Sequence, residues 1–302
     1  MSLQARVDYL SRILPLQDMV HRGRNAPEVA HYYAVSHWVY RAFHSRQGAM
    51  HLALNPDGVF DAEGYAGQAA LVCERLPAES ADVLELAFGN GFNLERLLEL
   101  HPDVRMTGID LTETHVRAAR NRLGPGVALH HGDFHHLPFG DASFDAVFAV
   151  ESFCHAQDVS QALGEVSRVL RPNGVFIVID AWRADGFSAL PPSLRRSIEL
   201  SEWAMALGQG VTEHSQWWRL AAAAGLTRQA DVDLTPQVIP TLKRLERLSW
   251  SFLRRPRFIR MANAVLSVAA RNLVAGFLLL DSLQQGGFTY RMLVAEKPSR
   301  HA

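Results

Sequence analysis

The middle of the chain alternates short apolar runs with segments of helical periodicity. Five runs have the length and composition of buried strands and span 82–88, 104–111, 126–133, 144–150 and 174–181. Between them, apolar residues recur every three or four positions, as on the buried face of a helix: Leu94, Leu97 and Leu98; Val116, Ala119 and Leu123; Val159, Ala162, Val166 and Val169. This β-α-β-α rhythm predicts an α/β fold with a parallel sheet covered by helices on both faces.

Two further runs extend the predicted sheet to seven strands. "LTRQADVDL" predicts a sixth strand near 225–234, and "GFTYRMLVAEKP" predicts a seventh within 286–302. The tetrapeptide "RPNG" predicts the end of a helix and the start of a strand, because Pro172 cannot continue a helix and Gly174 accepts a positive φ.

Two regions interrupt the alternation and are predicted to be additions around the sheet. Residues 1–79 have mostly helical patterns and many aromatic and His side chains, whereas 185–285 carries Arg- and Leu-rich helices around the sixth strand. Ligands of open α/β sheets bind beyond the carboxyl ends of the strands, where such additions commonly form walls. We therefore expect a helical N-terminal lid at 1–79, a core at 80–184, a helical substrate-binding insertion at 185–285 and the last core strand at 286–302.

Composition and charge argue against several classes of protein. Thirty basic and 31 acidic side chains among 302 residues give a formal charge of −1, which provides no overall attraction to nucleic acid. Cys73 and Cys154 are too few for a disulfide framework, and the first residues lack the apolar segment of a secretory signal, so we expect a cytoplasmic location. Arg271 interrupts the longest apolar stretch, which argues against a membrane-spanning helix.

The segment "VLELAFGNGFNLERL" predicts a cofactor loop after the first strand. A dinucleotide fingerprint would need glycine at Phe92, where helix and strand pack closely, and no lysine of a phosphate loop follows. What remains is an acid-x-[Gly/Ala]-x-Gly-x-Gly pattern formed by Glu85, Ala87, Gly89 and Gly91. Alanine is tolerated at the first small position if φ is negative there.

This pattern resembles the S-adenosylmethionine (SAM) loop of class I methyltransferases, and acids at two further strand ends support the resemblance. Asp110 ends the second strand 25 residues after Glu85 (110 − 85), and Asp133 ends the third strand 23 residues later (133 − 110). A carboxylate at the first of these positions can accept hydrogen bonds from both ribose hydroxyls, and one at the second from the adenine amino group.

The resemblance extends over about 82–182 and narrows the family. "GDFHHLPFGDASFDAVFAVESFCHAQDVSQALGEVSRVLRPNGVFIVIDA" is similar to the small-molecule and lipid methyltransferases, with Asn173 in place of a glycine. That group includes sterol, tocopherol and ubiquinone-pathway enzymes and sugar O-methyltransferases of natural-product pathways. The resemblance implies a Rossmann-like fold with a seven-stranded, mostly parallel sheet, and it implies SAM as the cofactor.

The resemblance also implies a set of cofactor contacts in the loop, at the strand ends and in the lid. Its members are Glu85, Ala87, Gly89, Gly91, Asn93, Asp110, Leu111, Asp133, Phe134, Val150 and Tyr33. A tyrosine face near the positive sulfonium would be attracted to it.

Methyl transfer to a hydroxyl or carbon nucleophile also needs a base that removes a proton. The ends of the fourth and fifth strands offer Glu151, His155 and Asp180, and a neutral imidazole oriented by a carboxylate is a suitable base. Aromatic and His side chains are the candidates for substrate contact, namely Tyr40, His51, Phe153, Trp203 and Trp217. The run "HHGDFHH" is not expected to bind metal, because adjacent side chains on a strand or turn cannot all point one way.

The leading hypothesis is SAM-dependent transfer of a methyl group to a lipophilic small molecule (natural product, isoprenoid, quinol or lipid) by in-line displacement. The alternatives are C-methylation of a prenyl diphosphate that uses the basic insert, an NAD-dependent oxidoreductase and a non-catalytic SAM-binding protein. The basic run 243–271 predicts a solvated helix face, a peripheral contact with an anionic membrane surface, or a site for a phosphorylated or carboxylated substrate. No nucleic-acid partner is expected, whereas the attacked atom and homo-oligomer formation stay open.

Overall fold

The computed structural model describes residues 1–14, 16, 44–208, 210–257, 259 and 267–299. Seven strands form one sheet in the order β3-β2-β1-β4-β5-β7-β6. They are β1 Asp82–Leu86, β2 Arg105–Asp110, β3 Ala128–His131, β4 Phe144–Val150, β5 Leu170–Arg183, β6 Thr227–Asp233 and β7 Phe288–Glu296. Strands β1 to β5 pair in parallel, and β7 is antiparallel to β5 and β6. The predicted seven-stranded, mostly parallel α/β sheet is confirmed.

Helices cover both faces of the sheet. They are α1 Leu3–Ile13, α2 Gly67–Cys73, α3 Phe92–Leu100, α4 Glu113–Leu123, α5 Val159–Val169, α6 Pro192–Ala204, α7 His214–Ala223, α8 Thr235–Leu253 and α9 Ser267–Gln284. One apolar cluster joins the sheet to α3, α4 and α8, and a second joins its other face to α5 and α7. The apolar positions that predicted the helices, such as Leu94, Leu97 and Val166, are fully buried. Their burial, which stabilises by about 25 cal/mol per Å², holds the helices on the sheet.

Helix α1 packs against the helical insertion. Val7 and Leu10 share an apolar cluster with Ile198 of α6 and Leu278 of α9. Within the described part of the N-terminal region, α2 and the segment 49–55 both reach the sheet, through Val72 and Leu54, and 49–55 lacks regular helix or strand. Among the helices that the structure describes, none combines the length and apolar character needed to cross a bilayer.

Two residues, Ala87 and Asn173, adopt a positive φ that the sequence did not predict. Ala87 has φ +52°, so this non-glycine residue adopts the left-handed conformation. In the "RPNG" turn, Asn173 takes the positive φ of +65° in place of Gly174, which is reasonable because asparagine visits that region more readily than most residues. Gly174 is required by space instead, since a Cβ there would lie 2.9 Å from the Arg171 carbonyl oxygen.

Candidate functional site

A cavity of about 330 Å³ lies at the carboxyl ends of β1, β2 and β4. Parallel strands that point the same way bring their end residues to this edge of the sheet. The cavity collects many of the predicted residues, which are Glu85, Ala87, Gly89, Asn93, Asp110, Leu111, Asp133, Phe134, Val150, Glu151, His155 and His51.

Glu85 lies near the carboxyl end of β1, and it is only 1% exposed. The Asn93 amide donates to its Oε1 at 3.2 Å, whereas the buried Oε2 has no hydrogen-bond partner among the described residues. Burial raises the pKa of Glu85 to about 8, and the neighbouring carboxylate of Asp110 adds to this rise. An unsatisfied buried acceptor is costly, so a cationic donor entering the cavity would be held strongly here.

The glycine loop is built to turn sharply and to approach α4. Gly89 and Gly91 have φ values of +58° and +81°, which favour glycine. A Cβ on Gly91 would lie 3.0 Å from Leu123 Cδ1 and 3.1 Å from Ala119 Cβ. Gly91 caps α3, so this glycine supports the loop from behind, and it is Gly89 that borders the cavity.

Asp110 is fixed by backbone donors on both sides. Its Oδ2 accepts from the N–H of Gly89 at 2.8 Å, and its Oδ1 accepts from the N–H of Thr112 at 2.7 Å. The ring of His115 lies 3.3 Å from Oδ1. Each carboxylate oxygen can accept a further hydrogen bond, so Asp110 is oriented to bind a pair of hydroxyls. Leu111 follows it as an exposed apolar side chain on the cavity rim.

Asp133 and Phe134 form the wall beyond β3. Asp133 Oδ1 accepts from the backbone N–H of His135 at 2.9 Å and lies 2.6 Å from its ring Nδ1. Burial alone would raise the pKa of Asp133, but the hydrogen bonds from His135 outweigh it and lower that pKa. Phe134 stacks on His135 and, at 5.8 Å between ring centroids, on Phe153. Phe153 is thus buried behind Phe134 and supports it.

Glu151 anchors a polar network that the sequence did not predict. Its Oε1 accepts from the backbone N–H of Leu52 and from the hydroxyl of Tyr290, each at 2.7 Å. The Gln68 amide donates to the Tyr290 hydroxyl at 3.2 Å and also to the Leu52 carbonyl. Burial raises the pKa of Glu151 to about 8. Glu151 also has φ +44°, and strained backbone of this kind clusters at functional sites.

His155 lines the cavity on the single turn Phe153–His155. Burial lowers the pKa of its imidazole to about 4, so the ring is neutral at pH 7. Asp180 lies outside the described cavity lining, and its oxygens accept from the backbone N–H groups of Cys154 at 2.9 Å and Ala181 at 2.8 Å. Burial raises the pKa of Asp180 to about 6. Asp180 therefore holds the turn that presents His155.

The substrate candidates are dispersed in the structure. His51 lines the cavity, and its Nε2 lies 2.8 Å from the Tyr65 carbonyl oxygen. Trp217 is fully buried beside Trp182, in the apolar cluster between the sheet and α7. Trp203 packs in the outer cluster of α1, α6 and α9. The structure does not bring these two tryptophans to the cavity, because helical periodicity directs both into apolar packing. Tyr33 and Tyr40 lie outside the described residues.

The chain is similar to several known methyltransferases. Residues 84–178 match the family model described as "Methyltransferase domain". The chain is 33% identical to "Sterol methyltransferase-like 2" of Botryococcus braunii over 47% of this chain and 36% of that protein. It is 30% identical to "Phthiotriol/phenolphthiotriol dimycocerosates methyltransferase 1" of Mycobacterium ulcerans (strain Agy99), over 70% of this chain and 65% of the relative. The chain thus spans only about a third of the length of the first relative.

A solved structure shares the fold of this chain. The structure of the cyclopropane synthase MmaA2 from Mycobacterium tuberculosis superposes with a TM-score of 0.75 at 14% identity, covering 89% of this chain and 97% of that one. The family match covers the glycine loop, Asp110, Asp133 and the β4 end with Glu151, which are the positions that form the cavity. Residues 84–178 therefore form a methyltransferase domain, and the chain is similar to methyltransferases of small molecules and lipids.

Proposed function

We propose that this chain transfers the methyl group of SAM to a lipophilic small molecule. The observation that carries the proposal is the buried Oε2 of Glu85, to which no described residue donates, in the same cavity as the backbone-oriented carboxylate of Asp110. Oε2 of Glu85 suits the ammonium group of an amino acid, and the carboxylate of Asp110 suits a ribose diol. The residues present therefore fit SAM. When bound, SAM supplies a methyl group made electrophilic by its positive sulfonium.

The other cavity residues fall into two groups, one suited to the adenine ring and one to the methyl acceptor. Leu111 and Phe134 offer apolar surface at the β2 and β3 ends, where an adenine ring would be held, and Asp133 borders the same part of the cavity. The β4 end contributes Glu151 and His155 at the part where an acceptor would meet the methyl group. Positioning dominates such a displacement, because the methyl group needs no further activation.

His155 is the base that we propose for a hydroxyl acceptor. Its ring is neutral at pH 7 because burial lowers its pKa to about 4, and Asp180 acts as a positioning residue through the backbone of Cys154. Glu151, whose pKa burial raises to about 8, is protonated at neutral pH while the cavity holds no cation. A bound sulfonium favours the carboxylate form, which makes Glu151 the second candidate base.

Lipophilic acceptors are favoured by the relatives whose names refer to sterols and phthiotriol lipids. No contact of the described residues with the cavity supports C-methylation of a prenyl diphosphate by the basic insert. Lys243, Arg247 and Arg254 are exposed side chains of the α8 segment and do not appear in the described lining of the cavity. A cytoplasmic location, which the two free cysteines favour, and a homo-oligomer are further proposals.

The test is transfer of a labelled methyl group from SAM to a panel of sterols, quinols, glycolipids and prenyl diphosphates. Wild-type protein should label at least one lipophilic acceptor, and His155→Ala should reduce the rate at least about 100-fold if it is the base. His130→Ala, which removes an exposed imidazole outside the cavity lining, serves as the matched control. Equal rates for His155→Ala and wild type would remove His155 from the chemistry.

A further inference from the structure

One side of α8 carries cationic side chains in a line with a tryptophan among them. Lys243, Arg247, Trp250 and Arg254 follow at steps of four, three and four residues, which places them on one face of a helix. All four are exposed, and Trp250 keeps 38% of its surface accessible. We call these four residues the α8 stripe. Leucines on the other side of the helix, such as Leu253, are buried, so the stripe is the outward face of an anchored helix.

The positive charge of the stripe is not neutralised by its own helix. Glu246 is the single acidic residue of 235–257, and it forms an ion pair with Arg6 of α1. Arg255 and Arg257 add two exposed cations just beyond the end of α8. Since the whole chain has a formal charge of −1, this surface is a local concentration of positive charge.

Trp250 is held rigidly within the stripe. Its ring stacks on Phe277 of α9 at 5.5 Å and 11°, and it meets the ring of Tyr9 at 5.5 Å. Tyr9 in turn donates from its hydroxyl to the carbonyl of Leu253 at the end of α8. A fixed, partly exposed indole loses little conformational freedom on binding, and indoles favour the interface between lipid headgroups and acyl chains.

We propose that the α8 stripe docks this protein on the surface of a bilayer that contains anionic phospholipids. The α8 stripe ends at Arg254, the C-cap of α8, and it extends about 16 Å along one helix face, because its eleven residue steps each rise about 1.5 Å. Its cations therefore face a plane and do not converge on one small phosphate. Each basic side chain near an anionic surface strengthens binding about fivefold. Docking would place the protein on the bilayer, where lipophilic molecules such as those in the proposed function are dissolved. Binding to the bilayer does not itself depend on methyl transfer.

The experiment is sedimentation with vesicles of phosphatidylcholine alone or mixed in equal parts with phosphatidylglycerol, at physiological salt. Wild type should bind the mixed vesicles and not the neutral ones, and added salt should weaken binding. The test variant is Lys243→Glu/Arg247→Glu/Arg254→Glu. The control makes the same change of net charge at exposed arginines outside α8, in Arg75→Glu/Arg117→Glu/Arg219→Glu.

The proposal expects the stripe variant to lose binding at least about 100-fold, and the control to stay within about threefold of wild type. Equal losses in the two variants would overturn it, as would a wild type that does not bind the mixed vesicles. If the stripe variant fails to unfold cooperatively, Lys243→Gln/Arg247→Gln takes its place, with about a tenfold or greater loss expected. A second measurement tests whether Trp250 inserts into the bilayer. Vesicles with brominated lipids should quench the tryptophan fluorescence of wild type more than that of Trp250→Phe. Equal quenching of the two proteins would contradict insertion.

Discussion

The hydroxyl of Tyr290 donates a 2.7 Å hydrogen bond to Oε1 of Glu151, and this bond ties the last strand of the sheet to the cavity at the end of β4. Glu151 also accepts from the backbone of Leu52. Oε1 of Glu151 thus links the end of β4 to β7 and to the segment 49–55. The strained φ of +44° at Glu151 is sustained by these two bonds together.

Tyr290→Phe should destabilise the protein by about 1–3 kcal/mol, because it leaves the buried Oε1 of Glu151 without one of its two donors. Loss of that donor should also raise the pKa of Glu151 further. Urea unfolding at pH 7 measures the effect. Tyr9→Phe, which removes a hydroxyl that binds a carbonyl near the surface, is the comparison. A cost for Tyr290→Phe no larger than that for Tyr9→Phe would show that the network contributes little.

The contribution of Glu85 and Glu151 to stability without cofactor should decrease as the pH rises from about 5 to 8. Burial raises the pKa of Glu85 and of Glu151 to about 8 from the usual 4.5, so the native state binds more protons than the unfolded state between these values. That stabilisation is complete below the unfolded pKa and is lost as the pH rises through the folded one.

The variant Glu85→Gln/Glu151→Gln isolates this effect, since the amides do not titrate. As the pH rises across this range, the variant should gain stability relative to wild type. The free energy of unfolding of the variant minus that of wild type should therefore increase. His155 and His51, whose pKa values burial lowers to about 4, have the opposite dependence below pH 6.5 and are common to both proteins. A difference between the two proteins that does not change with pH would contradict the raised pKa values.

Ala87→Gly should stabilise the protein by about 1 kcal/mol. Alanine pays for the left-handed φ of +52°, whereas glycine adopts it freely, and this gain exceeds the entropy that glycine loses on folding. Thermal unfolding measures the change. Ala70→Gly inside α2 is the matched control and should destabilise by about 1 kcal/mol. If both substitutions lowered the melting temperature equally, the left-handed conformation at residue 87 would be contradicted.

The parts of the site that the sequence predicted are those fixed by chain order. Glu85, Asp110 and Glu151 each lie at or just beyond the carboxyl end of a recognisable strand. Parallel strands must end at one edge, so the meeting of these residues in one cavity follows from the β-α-β pattern. Tyr290 belongs to an antiparallel strand 139 residues beyond Glu151 (290 − 151). No local pattern fixes that register, and the alternation of β7 only predicts that Tyr290 faces one side of the sheet.

Side-chain partners that depend on irregular backbone were equally hard to predict. Asp180 was predicted to assist His155, but its hydrogen bonds to the N–H groups of Cys154 and Ala181 could not be predicted, because they depend on the single turn at 153–155. Trp217 was expected to contact substrate and is packed in the core. Its aromatic composition suits both roles, and only the tertiary packing of α7 decides between them.

The most direct test of the account is calorimetric titration with SAM and S-adenosylhomocysteine, with NAD as the control ligand. Wild type should bind both adenosyl ligands at micromolar concentration, and Glu85→Gln and Asp110→Asn should each weaken binding at least about tenfold through loss of a charged hydrogen bond. Binding at pH 7 should also release protons, because a cation beside Glu85 lowers a pKa that burial had raised to about 8. Binding of NAD alone, or adenosyl binding that neither substitution weakens, would contradict the assignment of this cavity to SAM.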